Sequence, residues 1–108
     1  MNEQSLKLKL IRALRDPEFE GIYFYKSHDL FQSGILDIIG CYHSVFFAFE
    51  LKSEKGFPTV LQIHTIKRIR KAGGAAHTIY SVEEAIAFLR KIKRDQFKIH
   101  KSGEVNKK

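Results

Sequence analysis

Two carboxylates and one ammonium stand where the chain is otherwise apolar. Asp37 lies within Gly34-Ile35-Leu36-Asp37-Ile38-Ile39, and Glu50 and Lys52 end the run Val45-Phe46-Phe47-Ala48-Phe49-Glu50-Leu51-Lys52. Burying a charge of either sign without a partner is expensive, so a sequence that does so should have a use for it. Two carboxylates converging from neighbouring strands hold a hard divalent cation, and a lysine beside them stabilises charge building on a phosphoryl group. That combination suits phosphodiester hydrolysis. The same Glu-x-Lys also makes a partly solvated ion pair at a frayed strand end, and the motif alone does not separate the two.

Positioning these groups is the work of a hairpin. The two apolar runs turn back on each other through Tyr42-His43-Ser44 and read as paired strands. The second run is apolar on both faces, Val45, Phe47, Phe49 and Leu51 against Phe46 and Ala48, so it is expected to be central and covered by helices on both sides. Alternation then sends Glu50 and Lys52 to one face and Leu51 to the other.

Before the hairpin, Asn2 can cap a helix with Leu6, Leu10, Ile11 and Leu14 on one stripe, ending ahead of Asp16-Pro17. Glu3 falls on that stripe at the helix start, where it serves either as a favourable N-terminal charge or as a member of the site. Ile22-Tyr23-Phe24-Tyr25 is a β-branched and aromatic strand that leads to Lys26 and His28, which are phosphate contacts or plain surface groups.

After the hairpin, Thr59 and Gln62 match a capping box opening a helix that runs to Ala72 and stops at Gly73-Gly74. Gln62 shares a face with Ile66 and Ile69, so it is a capping partner or a site residue. Lys67, Arg68, Arg70 and Lys71 give that helix a basic end, suited to its C-terminus and to phosphate. Ala75 to Tyr80 is a further strand reached by a helical crossover, and Ser81 with Glu84 caps a last helix carrying Val82, Ala85, Ile86 and Leu89 on its buried side. From Lys93 the apolar pattern fades. Residues 1–94 read as one domain, and 95–108 as a basic tail that is partly disordered.

Nineteen Lys and Arg against twelve Asp and Glu leave a formal net charge of +7, which points to a polyanionic partner and most economically to nucleic acid. No run is apolar for long enough to span a bilayer, the first residues lack the layout of a secretory signal, and the lone Cys41 reads as a small buried side chain. A reducing cytosol fits these features, and the cytoplasm of a bacterium or a phage-infected host is the expected setting. The five histidines form no zinc-like pair, no Gly-rich loop precedes a helix, and no Ser-His-Asp set is apparent.

Taken in order, helix with Glu3, strand into Lys26, Gly-Ile-Leu-Asp37, Glu50-Leu51-Lys52, Gln62 on a helix ending Ala-Gly-Gly, then strand and helix, the chain resembles the virus-type replication-repair nuclease (VRR-NUC) domain. That domain is a branch of the restriction-endonuclease-like phosphodiesterases marked by Asp followed by Glu-x-Lys. The resemblance spans residues 3 to 92. It implies an α/β fold with a restriction-endonuclease-like mixed sheet flanked by helices in the order αβββαβα, Mg2+ or Mn2+ as cofactor, and hydrolysis of DNA. Branched or four-way-junction DNA is the substrate and a homodimer the assembly that small members of the family suggest. By position, Asp37, Glu50 and the Leu51 carbonyl would hold metal, Lys52 would orient or activate water and stabilise the transition state, and Glu3, as a further metal ligand, and Gln62 would complete the site. Leu36 stands where the family usually has proline. Two alternatives remain on sequence grounds, a non-catalytic DNA-binding module of the same fold and a site-specific restriction endonuclease.

Overall fold

The computed structural model describes residues 2–27 and 34–106, with side chains to residue 99. Helix α1 (Glu3–Leu14) starts where the Asn2 side chain accepts the Ser5 N–H at 2.8 Å, and it turns Leu6, Leu10, Ile11 and Leu14 inward. A short 3-10 turn at Pro17–Phe19 leads to β1 (Tyr23–Lys26), which is followed by β2 (Ile38–Tyr42), β3 (Val45–Leu51), α2 (Val60–Lys71), β4 (Ala75–Ile79) and α3 (Val82–Asn106). The result is a mixed α/β architecture, with three helices around a four-stranded sheet of order β1-β2-β3-β4. The pairs β1/β2 and β2/β3 are antiparallel, and β3/β4 is parallel, as the crossover through α2 requires.

The β2–β3 hairpin closes in two residues, His43 (φ 47°) and Ser44 (φ 69°). Two positive φ angles match the right-handed twist of the strands. Neither residue is glycine, so the turn is held against its own preference by the ladder it closes. Register follows directly: Ile38 pairs with Phe49 and Ile39 with Ala48, so one step beyond the ladder Asp37 comes level with Glu50. Gly40 is required for this pairing, since a Cβ there would fall 2.1 Å from the Tyr23 carbonyl oxygen and 2.7 Å from Phe47 Cζ.

The two faces of the sheet are covered unequally. On one, α1 and α3 close over Ile38, Tyr42, Phe47, Phe49, Leu51 and Ile79 to form the main core, with Phe47 and Phe49 fully buried. Each such aromatic contributes roughly 2–3 kcal/mol of burial. On the other, α2 lays Ile66 and Ile69 over Leu36, Ile39, Ala48 and Ala76 only. β3 is central as expected, but its cover on this second side is incomplete, and Phe46 remains 45% exposed. Cys41 is likewise exposed, not buried, because alternation turns its neighbours Gly40 and Tyr42 to the main core and Cys41 to the half-open face.

α3 also differs from the sequence expectation. It continues to Asn106, through the stretch read as a tail. Residues 91–99 contain no Gly or Pro and are rich in Lys, Arg and Gln, and Lys91 pairs with Asp95 one turn on at 2.8 Å. Among the described side chains Ile92 is the last that is buried, and Phe97 and Ile99 are exposed. Among the described residues no helix is long and apolar enough to cross a membrane.

Candidate functional site

Where the β2–β3 ladder ends, Asp37 takes over from it. The Lys52 N–H donates to the Ile79 carbonyl at 3.0 Å, so Lys52 addresses β4 and the neighbouring Leu51 addresses β2. The Leu51 N–H there donates to Asp37 Oδ2 at 2.8 Å. Asp37's own carbonyl accepts the Ser27 N–H at 2.9 Å, just past β1. One residue thereby ties three strands and holds its carboxylate at the sheet end. Lys7 Nζ of α1 lies 3.8 Å from its second oxygen.

Glu50 is the single charged side chain among the described residues that is buried, at 2% exposure. Its Oε2 is 3.2 Å from Lys52 Nζ, whereas Oε1 is buried with no hydrogen-bond donor. Burial, and next the charge of Asp37, push its carboxyl up to about 7, although Lys52 pulls the other way. Lys52 Nζ also reaches Glu3 Oε1 at 3.8 Å. Glu3 does not sit on the buried stripe as its spacing suggested. It is half-exposed at the first turn of α1 and approaches the group from the solvent side.

A buried carboxylate oxygen with no donor, beside a second carboxylate, is the arrangement a divalent cation relieves, and the oxygen donors suit Mg2+ or Mn2+. Asp37 and Glu50 would hold such an ion. The Leu51 carbonyl, directed to the same side as its N–H, would add a neutral ligand. Among the described residues no group of three or more His, Cys, Asp and Glu side chains converges, so water and phosphate would complete the shell.

Other residues singled out from the sequence are placed differently. Gln62 directs Oε1 to the Thr59 N–H at 2.8 Å and donates its own N–H to Thr59 Oγ1 at 3.1 Å, a complete capping box, and among the described hydrogen bonds none joins it to Asp37, Glu50 or Lys52. Lys26 is exposed at the end of β1, one residue before the Ser27 contact to Asp37. His28 lies outside the described residues. Lys67, Arg68 and Lys71 are exposed on α2, but Arg70 is turned to the free edge of β4, where Nε donates to the Ala76 carbonyl at 2.9 Å and Nη2 meets His77 Nδ1 at 3.1 Å.

Lys7 belongs to the group and was not singled out from the sequence. The signal was there, since it stands four residues after Glu3 on one helix flank. A cavity of about 300 Å³ lined by Gly74, His77, Phe88 and Lys91 opens at the other end of β4 and takes no part in the carboxylate cluster. Compared with known proteins, the chain matches no family model, and no curated protein matches it.

Proposed function

We propose that the chain is a metal-dependent DNA endonuclease of restriction-endonuclease-like fold and VRR-NUC type. The observation that carries this reading is Glu50, buried with one oxygen unpartnered, crowded by Asp37 and paired with Lys52 at 3.2 Å. Held by Asp37, Glu50 and the Leu51 carbonyl, Mg2+ or Mn2+ would supply Lewis-acid polarisation of a phosphodiester and lower the pKa of bound water. Lys52, short of full burial and already within reach of two carboxylates, orients the attacking water and faces the charge that develops on phosphorus. The element order from α1 to α3, with Asp37 and Glu50-Leu51-Lys52 on one hairpin, supports the fold assignment.

DNA is the substrate that the net charge of +7 and the exposed Lys67, Arg68 and Lys71 favour, with branched or junction DNA first and a cytoplasmic setting. Symmetric cutting of two strands requires two such sites, and a two-fold homodimer supplies them. The deciding experiment incubates purified protein with four-way, flapped, single-stranded and duplex DNA, each with Mg2+, Mn2+ or chelator. Cleavage confined to the metal-containing reactions is expected. No cleavage of any substrate in either metal would end the nuclease reading.

One observation favours a second reading. Lys7 and Lys52 already set a positive charge beside Asp37 and Glu50, so these two carboxylates are largely compensated without a cation. A non-catalytic DNA-binding module would need no more than that, and it would bind DNA equally well with and without metal.

A further inference from the structure

On the side of the sheet that α2 leaves half open, three aromatic rings face outward. Tyr23 (64% exposed) and Tyr25 (49%) come from β1, and Phe46 (45%) comes from β3. Register places them together: Tyr23 pairs with Cys41, which pairs with Phe46, and Tyr25 pairs with Ile39. The tyrosine rings lie 6.1 Å apart, tilted by 57°. Ile22, just ahead of β1, and Phe24 within it pack against the main core, so Tyr23 and Tyr25 are held outward by the alternation.

Single exposed aromatics need no explanation, but a row of them on an open sheet face marks a binding surface. Two neighbours say what would bind. Alternation puts the row on the same face as the side chains of Ile39 and Ala48, and extending both strands reaches Asp37 and Glu50. Tyr25 is thus one pair-step, about 7 Å, and Tyr23 two steps, about 14 Å, from the carboxylates along the strand direction. The second neighbour is basic. Gly34 packs so closely on α2 that a Cβ there would fall 2.8 Å from Thr65 Oγ1 and 2.9 Å from the Leu61 carbonyl oxygen, so the Leu61–Thr65 flank of the helix faces the segment that leads into β2. Arg68 continues that flank three residues after Thr65 and is exposed.

We propose that Tyr23, Tyr25 and Phe46 form a stacking platform for unpaired bases of a nucleic-acid strand, with Arg68 on its phosphates, next to the Asp37–Glu50–Lys52 group. Aromatic faces take any base, and a cation at the margin holds the backbone. The inference rests on the nuclease reading only for its consequence, that the strand cut is one with unpaired nucleotides beside the scissile bond. The platform itself is a binding site that works in chelator.

The test measures affinity of the full chain for single-stranded oligothymidylate and for a duplex of equal length, both in chelator. With four tyrosines and no tryptophan, stacking also reads out as quenching of the intrinsic fluorescence. Y23A and Y25A should each weaken single-strand binding roughly tenfold, Y23F and Y25F should retain it, and duplex binding should change by less than about twofold. Both positions are exposed, so none of these changes disturbs the core. Single-strand affinity unchanged in both alanine variants would overturn the platform. So would leucine serving as well as phenylalanine, or self-association lost in the alanine variants with oligonucleotide affinity intact. If wild type cuts nothing while Y23A and Y25A still lose single-strand binding, the nuclease reading fails and the platform stands. If wild type cuts in metal while both alanine variants bind single strands as it does, the platform fails and the nuclease reading stands.

Discussion

Glu18 with Arg90 and Glu50 with Lys52 are both glutamate–cation pairs, and they behave in opposite ways. Glu18 accepts two hydrogen bonds from the Arg90 guanidinium, at 2.6 and 3.0 Å, on the surface between the 3-10 turn and α3. The guanidinium holds its carboxyl below the ordinary carboxylate value. Glu50 is nearly as close to its lysine, yet burial and Asp37 raise its carboxyl to about 7. Contact with a cation does not by itself favour the ionised form; solvent and a neighbouring like charge decide the sign. The surface pair is satisfied as it stands. The buried pair retains an oxygen with no donor, which a bound cation would relieve.

If the chain is the proposed metal-dependent nuclease, the largest consequence of that difference is in activity. Glu50→Gln and Asp37→Asn keep the shape and remove a negative ligand, so metal affinity and cleavage should collapse together. Lys52→Met leaves both carboxylates, so metal should still bind while cleavage falls by roughly a hundredfold or more. Calorimetric titration with Mn2+, paired with single-turnover cleavage, separates the two outcomes. A Glu50→Gln variant that cuts like wild type would place the chemistry elsewhere.

Next comes stability against pH. The Glu50 carboxyl rises from 4.5 to about 7, so the folded state binds its proton more tightly than the unfolded chain. Its contribution is fully present below pH 4.5 and is lost as pH rises through about 7, on the order of 3 kcal/mol in all. Urea titrations in chelator should show this fall, and Glu50→Gln should flatten it. Mn2+ should offset the fall in wild type. Glu18 runs the other way: its contribution is present above the unfolded value of 4.5 and is lost as pH falls through the lowered folded value.

A smaller effect is expected at Lys7, which lies 3.8 Å from Asp37 and would compete with a bound cation for it. Lys7→Gln should tighten Mn2+ binding by roughly two- to fivefold, the scale of one partly screened charge, with little change in melting temperature. Weaker Mn2+ binding would make Lys7 a supporting residue instead. The smallest effect belongs to the surface pair. Glu18→Gln or Arg90→Gln should leave the melting temperature unchanged within measurement, because the pair lies on the exposed surface. A marked loss there would mean that the pair anchors α3.

What could be read along the chain was whatever a few adjacent residues decide. Asn2 before α1, the Thr59–Gln62 box before α2 and the alternation through β2 and β3 all depend on local geometry, and so did the suspicion that Asp37, Glu50 and Lys52 were out of place in apolar strands. The mixed α/β character followed from the same patterns. Four features did not. Which lysine faces Asp37, how far α2 reaches across the sheet, whether Cys41 is covered, and whether Gln62 turns to its cap or to the site each depend on elements distant in sequence.

Composition and periodicity therefore determined the helices, the hairpin and the group of charges that needed a partner, because burial and alternation act on each residue through its nearest neighbours. Tertiary structure alone decided that Lys7 and Glu3 of α1 join that group, that Glu50 keeps one oxygen without a donor, and that Tyr23, Tyr25 and Phe46 share an open face. Each of these is set by which strands and helices pack side by side, and the pairing is a sum over the whole core that no short window contains.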